Sequence, residues 1–201
     1  AYIPNGIMPA LFALPQGPEE HKILYFGRVS PIKNLEVLIE AFALIKDKKA
    51  VLEIAGPAEA DYLARLRKIV RDKQLTTRVI FTGAIYDMAQ KVRKIDSGKI
   101  YVLPSLREGM PQTLIEAMAR ERLVIGSDNE GNRGIINHGK NGFLFKFDNA
   151  AELATLLDNA LAKPYQAIRK QAHEDVKKFA WENLIEDMCD LIAQAVRQSK
   201  K

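Results

Sequence analysis

The sequence predicts an α/β fold: a doubly wound, Rossmann-like parallel sheet followed by C-terminal helices. Three observations carry that expectation. Short apolar runs end in glycine, helical periodicity follows them, and the carboxyl-terminal third reads as helix after helix. Parallel strands need long crossover connections, and right-handed βαβ units supply them.

In chain order, a lead broken by Pro4, Pro9, Pro15 and Pro18 comes first. The expected division is a linker over residues 1–22 and a sheet domain over residues 23–201. Ile23–Phe26 is an apolar run ending at Gly27, and Leu35, Leu38, Ile39, Phe42 and Ile45 then repeat at helical spacing behind a cap expected at Asn34. The pattern recurs with Val51–Ile54 ending at Gly56, a charged amphipathic helix over Glu59–Gln74, and Val79–Phe81 ending at Gly83. The second half continues with a strand at Ile100–Leu103, a helix over Pro111–Arg120, and a strand at Leu123–Gly126. After the apolar stretch Phe143–Phe145, helical patterns cover Asn149–Ala162, Tyr165–Phe179 and Glu182–Arg197. There is no repeat of fixed period and no coiled-coil heptad.

Composition narrows the function classes. At 201 residues, 47% hydrophobic and 27% charged, the chain is long and apolar enough for a buried core. Thirty basic against 25 acidic residues leave a formal charge of +5, which favours anionic ligands. The single cysteine, Cys189, can form neither an internal disulfide nor a thiolate metal cage, so a reducing, cytoplasmic compartment is expected and structural zinc is excluded. The prolines of the lead fit neither a signal peptide nor a spanning helix. The chain opens at Ala1 inside that segment and reads as a fragment or a processed product. His21, His138 and His173 lack ligand spacing and read as surface residues. Arg65, Arg67, Lys68, Arg71 and Lys73 form a basic helix, but Glu59, Asp61 and Asp72 interleave with them, so a solvated face is expected and not a nucleic-acid site. Met110 and Met118 read as packing residues.

In open parallel sheets ligands bind beyond the carboxyl ends of the strands, so the strand-to-helix turns are where chemistry is expected. The G-x-x-x-x-G-K-[ST], G-x-G-x-x-G, H-E-x-x-H and G-x-S-x-G motifs are absent from the sequence. The first turn, G-R-V-S-P-I-K-N from Gly27 to Asn34, places Arg28 and Lys33 where two cations can clamp a diphosphate. The alternative is a solvated loop with two ordinary charges. A later turn runs Pro104, Ser105, Leu106, Arg107, then E-G-M-P-Q-T-L-I-E from Glu108 to Glu116. Pro111 suits the first helical position, which would point the amides of Gln112 and Thr113 at an anion. Gly109 allows close approach to the backbone. Glu108 and Glu116 would bracket the anion and accept hydrogen bonds from sugar hydroxyls; otherwise one is an exposed loop charge and the other complements the helix dipole.

Two glutamates separated by seven residues, in E-G-M-P-Q-T-L-I-E-A-M-A after a strand ending L-P-S, resemble the signature of the retaining GT-B glycosyltransferases of family 4, the group 1 glycosyltransferases. Other pieces agree in order: I-P-N-G-I at Ile3–Ile7 resembles the crossover into that family's C-terminal domain, and G-R-V-S-P-I-K-N its phosphate turn. L-E-I-A-G and V-I-F-T-G resemble its next strands, H-G-K-N-G-F-L-F the segment before its final helices, and Trp181 stands near its terminal helix. The match spans roughly Tyr2 to Leu161.

The resemblance implies a donor-binding domain for a nucleoside diphosphate sugar, a UDP- or GDP-sugar. Arg28 and Lys33 would bind the diphosphate, Glu108 the donor sugar and Glu116 the ribose hydroxyls. Gly27 and the segment Gly109, Met110, Pro111, Gln112, Thr113 and Leu114 would line phosphate and sugar. The turn of Gly83 and Ile85 would lie near the base. No divalent metal and no other cofactor is implied. The partners implied are the donor and a carbohydrate or lipid-linked acceptor held by a further N-terminal domain, with membrane contact only peripheral and through that larger protein. Another GT-B enzyme, a phosphorylase or sugar-nucleotide epimerase, and a non-catalytic nucleotide-binding module stay open. The chain departs from the family at Met8, where aspartate is common, at Gly134, where an acidic residue is usual, and over Asp96, Ser97, Gly98 and Lys99 before the L-P-S strand.

Overall fold

The computed structural model describes residues 6–185, 188–189 and 191–192. Six strands form one parallel sheet: β1 (Glu20–Phe26), β2 (Val51–Ala55), β3 (Val79–Gly83), β4 (Gly98–Leu103), β5 (Leu123–Ser127) and β6 (Phe143–Phe145). Their order is β3-β2-β1-β4-β5-β6. The helices are α1 (Ala10–Ala13), α2 (Leu35–Leu44), α3 (Ala60–Asp72), α4 (Met88–Ser97), α5 (Gln112–Ala119), α6 (Glu130–Arg133), α7 (Ala150–Ala162) and α8 (Gln166–Val176). Most of the helix expected over Glu182–Arg197 lies outside the described residues. None of the described helices is long and apolar enough to cross a membrane.

The expected doubly wound sheet is present. Because helices cover both faces, the central strands are apolar almost throughout. Ile23, Leu24, Ile100, Val102, Val124 and Ile125 are fully buried, and they pack under Leu38 and Phe42 of α2, Met118 of α5 and Leu157 of α7. The strand order reverses direction between β1 and β4, where Leu24 pairs with Glu53 on one side and Tyr101 on the other. A crevice opens at such a switch point beyond the strand ends.

Helix α4 is an element that apolar periodicity does not announce. Of its ten residues only Val92 and Ile95 are buried apolar, and its last two, Asp96 and Ser97, are buried polar. It starts where the Asp87 side chain accepts from the Gln90 amide (2.8 Å). The departure over Asp96–Lys99 therefore has a structural reason: Asp96 closes a helix, and β4 begins at Gly98.

Asp96 is also half of a buried ion pair. Arg120, 1% exposed, donates to both of its carboxylate oxygens (2.8 and 2.7 Å) and to the carbonyls of Leu11, Leu14 and Pro15. Arg122 donates to the Asp96 carbonyl and to Gln16. The lead segment is thus sewn onto the start of the sheet, and Leu11 of α1 is buried. At its beginning, Ile7 pairs in parallel with Ala180: the Ile7 amide donates to Phe179 (2.8 Å) and the Trp181 amide to Ile7 (3.1 Å). Gly6 is required there, since a Cβ would stand 2.5 Å from the Trp181 ring.

Candidate functional site

The first turn is built by close packing of backbone. Gly56 has φ of 141°, and a Cβ on it would lie 1.9 Å from the Gly27 carbonyl oxygen, so the ends of β1 and β2 meet only because glycine is there. The Tyr25 hydroxyl donates to the Arg28 carbonyl (2.5 Å) and holds the turn down. A 3₁₀ turn over Pro31–Lys33 follows. Asn34 stands at the N-cap of α2 as expected, but with a left-handed backbone (φ 49°) and no side-chain capping hydrogen bond: its side-chain amide donates to the Phe147 carbonyl instead. Inside the turn Ser30 is buried with no hydrogen-bond partner for its Oγ among the described residues. Arg28 is exposed and has no carboxylate partner among them.

The second turn is locked to the first, since the Leu106 amide donates to the Ile32 carbonyl (2.9 Å). Helix α6, which the sequence also left unread, packs against it: a Cβ on Gly131 would stand 2.4 Å from the Glu108 carbonyl oxygen. Glu108 is no exposed loop charge. Its side chain is 10% exposed and its Oε1 lies 2.7 Å from Lys33 Nζ, so the two turns share an ion pair.

Pro111 sits one position earlier than expected. It is the N-cap of α5, with φ −78° and ψ 76°, the geometry of an inverse γ-turn, and the Gln112 amide donates back to the Met110 carbonyl (2.9 Å). Leu114 and Ile115 donate to the Pro111 carbonyl, which leaves the Thr113 amide as the one without a backbone acceptor among the described residues. Of the expected pair, Gln112 and Thr113, the Gln112 amide is thus turned back into the loop. Leu114, expected to line the site, is fully buried in the core. The Tyr101 hydroxyl donates to the Phe26 carbonyl (2.9 Å) and lies 2.6 Å from the Thr113 hydroxyl, bracing the helix start against the ends of β1 and β4.

The two turns line one cavity of about 480 Å³, with Gly27, Arg28, Ser30 and Lys33 on one wall and Glu108, Met110, Pro111, Gln112 and Thr113 on the other. Beside it, a second cavity of about 680 Å³ is bordered by Glu108–Pro111, Glu130, Gly131, Gly134, Lys178 and Phe179. Gly134 stands on this wall, and nothing but backbone oxygens at 3.4 Å and beyond would meet a Cβ there. A Cβ on Gly109 would meet nothing within 4 Å, so that glycine leaves the backbone open. Gly83 ends β3 with φ of 80°, and Ile85 borders a separate cavity of about 510 Å³ with Thr82, Gln90 and Lys94.

Glu116 lies one turn into α5 and is 3% exposed. Its Oε1 is 2.6 Å from Lys91 Nζ of α4, and its Oε2 is buried without a partner among the described residues. Burial pushes the Glu116 carboxyl above the usual carboxylate range, and the opposing pull of Lys91 does not cancel it. Sequence reasoning missed Lys91, because it missed the helix that carries it. A carboxyl with a raised folded pKa contributes stability below its unfolded pKa and loses it as pH rises through the folded value. Ionised Glu116 therefore costs stability at neutral pH. Glu116→Gln is expected to unfold no lower than the parent between pH 6 and 8 in thermal melts; a clear drop in midpoint there would contradict this.

Among the described residues no group of three or more His, Cys, Asp or Glu side chains is placed to hold a metal. The histidines have local structural contacts: His21 pairs with Asp47, His138 Nδ1 accepts from the Leu144 amide, and His173 Nδ1 lies 2.8 Å from the Ala119 carbonyl. His173 is half-buried rather than a surface residue.

Known proteins are similar to this chain in sequence and in fold. The Bacillus subtilis protein EpsD is 30% identical over 172 residues, covering 84% of this chain and 44% of its own. Sucrose-phosphate synthase from Thermosynechococcus elongatus superposes with a TM-score of 0.86 at 28% identity, over 98% of this chain and 52% of that one. The Anabaena protein HepE, solved with UDP and glucose, superposes with a TM-score of 0.85 at 20% identity, over 96% of this chain and 56% of its own. The chain spans less than half the length of the first curated relatives it matches. Residues 11–179, from the buried start of α1 to the end of the turn after α8, match the family described as Glycosyl transferases group 1, and the chain belongs to that family.

Proposed function

We propose that this chain is the donor-binding domain of a retaining, family 4 type glycosyltransferase that moves a sugar from a nucleoside diphosphate to an acceptor hydroxyl. The observation that carries the reading is the single cavity at the switch point. There Arg28, with no carboxylate partner among the described residues, the Lys33–Glu108 pair, Ser30 and Thr113 line one space. Cations, a hydroxyl and a helix start in one cleft suit a diphosphate. Structures of HepE with UDP and glucose and with UDP-glucose, on the same fold, support this choice of ligand.

In this reading Arg28, Lys33 and the start of α5 stabilise the charge that develops on the departing diphosphate, without a metal. Glu108 accepts from the donor sugar and Glu116 from the ribose. The acceptor, a carbohydrate or lipid-linked hydroxyl, is held by a further domain, and the diphosphate oxygen takes its proton on the same face. Calorimetry with UDP, GDP and ADP tests the reading: one of them binds, and EDTA changes nothing. Failure of all three nucleotides, or loss of binding in EDTA, overturns it.

A further expectation concerns turnover. Positioning two substrates contributes roughly 7–11 kcal/mol to a bimolecular reaction, and a donor domain alone positions only one. Residues 1–201 on their own should bind the nucleotide yet transfer sugar far more slowly than the full open reading frame with the same donor and acceptor. Comparable rates would refute it.

A further inference from the structure

We infer that Lys91 is a positioning residue for nucleotide recognition: by engaging one oxygen of Glu116 it presents the other to a ribose diol. The inference rests on the reading that Glu116 takes the ribose hydroxyls of a nucleoside diphosphate. Its geometry is specific. Lys91 Nζ is 2.6 Å from Oε1, while Oε2 is buried with no donor among the described residues. A buried carboxylate oxygen lacking a donor is costly to keep, and a ligand hydroxyl is the kind of group that satisfies it.

Lys91 is held in place from two sides. Its amide donates to the Asp87 carbonyl in the first, side-chain-capped turn of α4. Its ammonium lies 5.8 Å from the ring centroid of Phe26, the last residue of β1, immediately before the turn of Arg28 and Lys33. The lysine therefore ties Glu116 to the end of the strand that leads into the proposed diphosphate turn.

The chemistry follows from what faces Glu116. Lys91 comes from α4 and Tyr101 from β4, the Phe26 ring at the end of β1 lies near the Lys91 ammonium, and His173 of α8 reaches the far end of α5 at Ala119. Lys91 is the cation among these. Tyr101 is itself pushed up by burial and stays a neutral phenol. Remove the lysine and burial favours the protonated acid, which is a poorer acceptor for two hydroxyls.

The test is calorimetry of UDP and 2′,3′-dideoxy-UDP from pH 6 to 8.5 with the parent, Lys91→Met, Lys91→Arg and Glu116→Gln. The parent should prefer UDP tenfold or more. Lys91→Met should lose at least fivefold of that preference at pH 6 and regain part of it by pH 8.5, as the unpaired carboxyl ionises, whereas Lys91→Arg should keep it. If Lys91→Met retains the parent preference and pH profile while Glu116→Gln loses the preference, the role of Lys91 is wrong and the ribose reading stands. If the parent shows no preference for UDP, the ribose reading fails and this inference with it. Should Lys91→Met not fold, Lys91→Gln, which is polar and carries no charge, is judged by the same two outcomes.

Discussion

Replacing Arg120 with alanine is expected to destabilise the protein by about 3–5 kcal/mol, the scale found when one partner of a buried pair is removed. The side chain is 1% exposed, and its hydrogen bonds to Asp96 and to the Leu11 carbonyl are buried. Its loss leaves the buried Asp96 carboxylate without its counter-ion, with the Gly17 amide still donating to it, and removes the donor to three carbonyls of the lead segment. For a chain of this length each kcal/mol moves the melting midpoint by about 2–4 °C, so a fall of about 10 °C is expected by calorimetry. Arg120→Lys should recover little, since one ammonium cannot reach a carboxylate and three carbonyls in a fixed fork. A midpoint within 2 °C of the parent would show that the pair is dispensable.

The largest effect on binding is expected from Arg28→Ala combined with Lys33→Ala. Each charge-assisted contact is worth roughly 1.5–3 kcal/mol, so each single change should weaken nucleoside diphosphate binding about tenfold or more, and the two together about a hundredfold or more. The singles should differ in their cost to the unliganded fold. Arg28 is exposed and without a carboxylate partner among the described residues, so Arg28→Ala should melt like the parent. Lys33→Ala leaves Glu108, 10% exposed, without its counter-ion and should melt lower. Calorimetric titration and melting of all three variants check both statements, and unchanged affinity in the double variant would remove the diphosphate from this turn.

Much of the architecture is legible because buried parallel strands announce themselves as apolar runs. The runs at Ile23–Phe26, Val51–Ile54, Ile100–Leu103 and Leu123–Gly126 fall within β1, β2, β4 and β5, and the expected helices follow the first three. What stays hidden is held by polar contacts at a distance. Helix α4 is invisible to a periodicity reading because Asp96 and Ser97 occupy positions where apolar residues are sought, and their partners, Arg120 and Lys22, lie 24 and 75 residues away. The same blindness conceals Lys91. The site turns were legible as motifs, since charge and glycine were concentrated there, but their backbone was not. The left-handed Asn34, the γ-turn at Pro111 and the burial of Leu114 depend on how the two turns lock together through Leu106 and Ile32.

The short parallel pairing of Ile7 with Ala180 has a mechanical meaning. It joins two stretches far apart in the chain by a pair of backbone hydrogen bonds, with the Trp181 ring stacked against Gly6 so closely that no side chain fits between. Phe179 and Lys178, immediately before the bridge, form part of the wall of the larger cavity beside Glu108. The Gln112 side chain, at the head of α5, also reaches the Gly6 carbonyl (3.3 Å). Gly6 and Ile7 are therefore pinned at two points, to the stretch that borders that cavity and to the helix start that lines the other, so one short piece of backbone is shared by the borders of both.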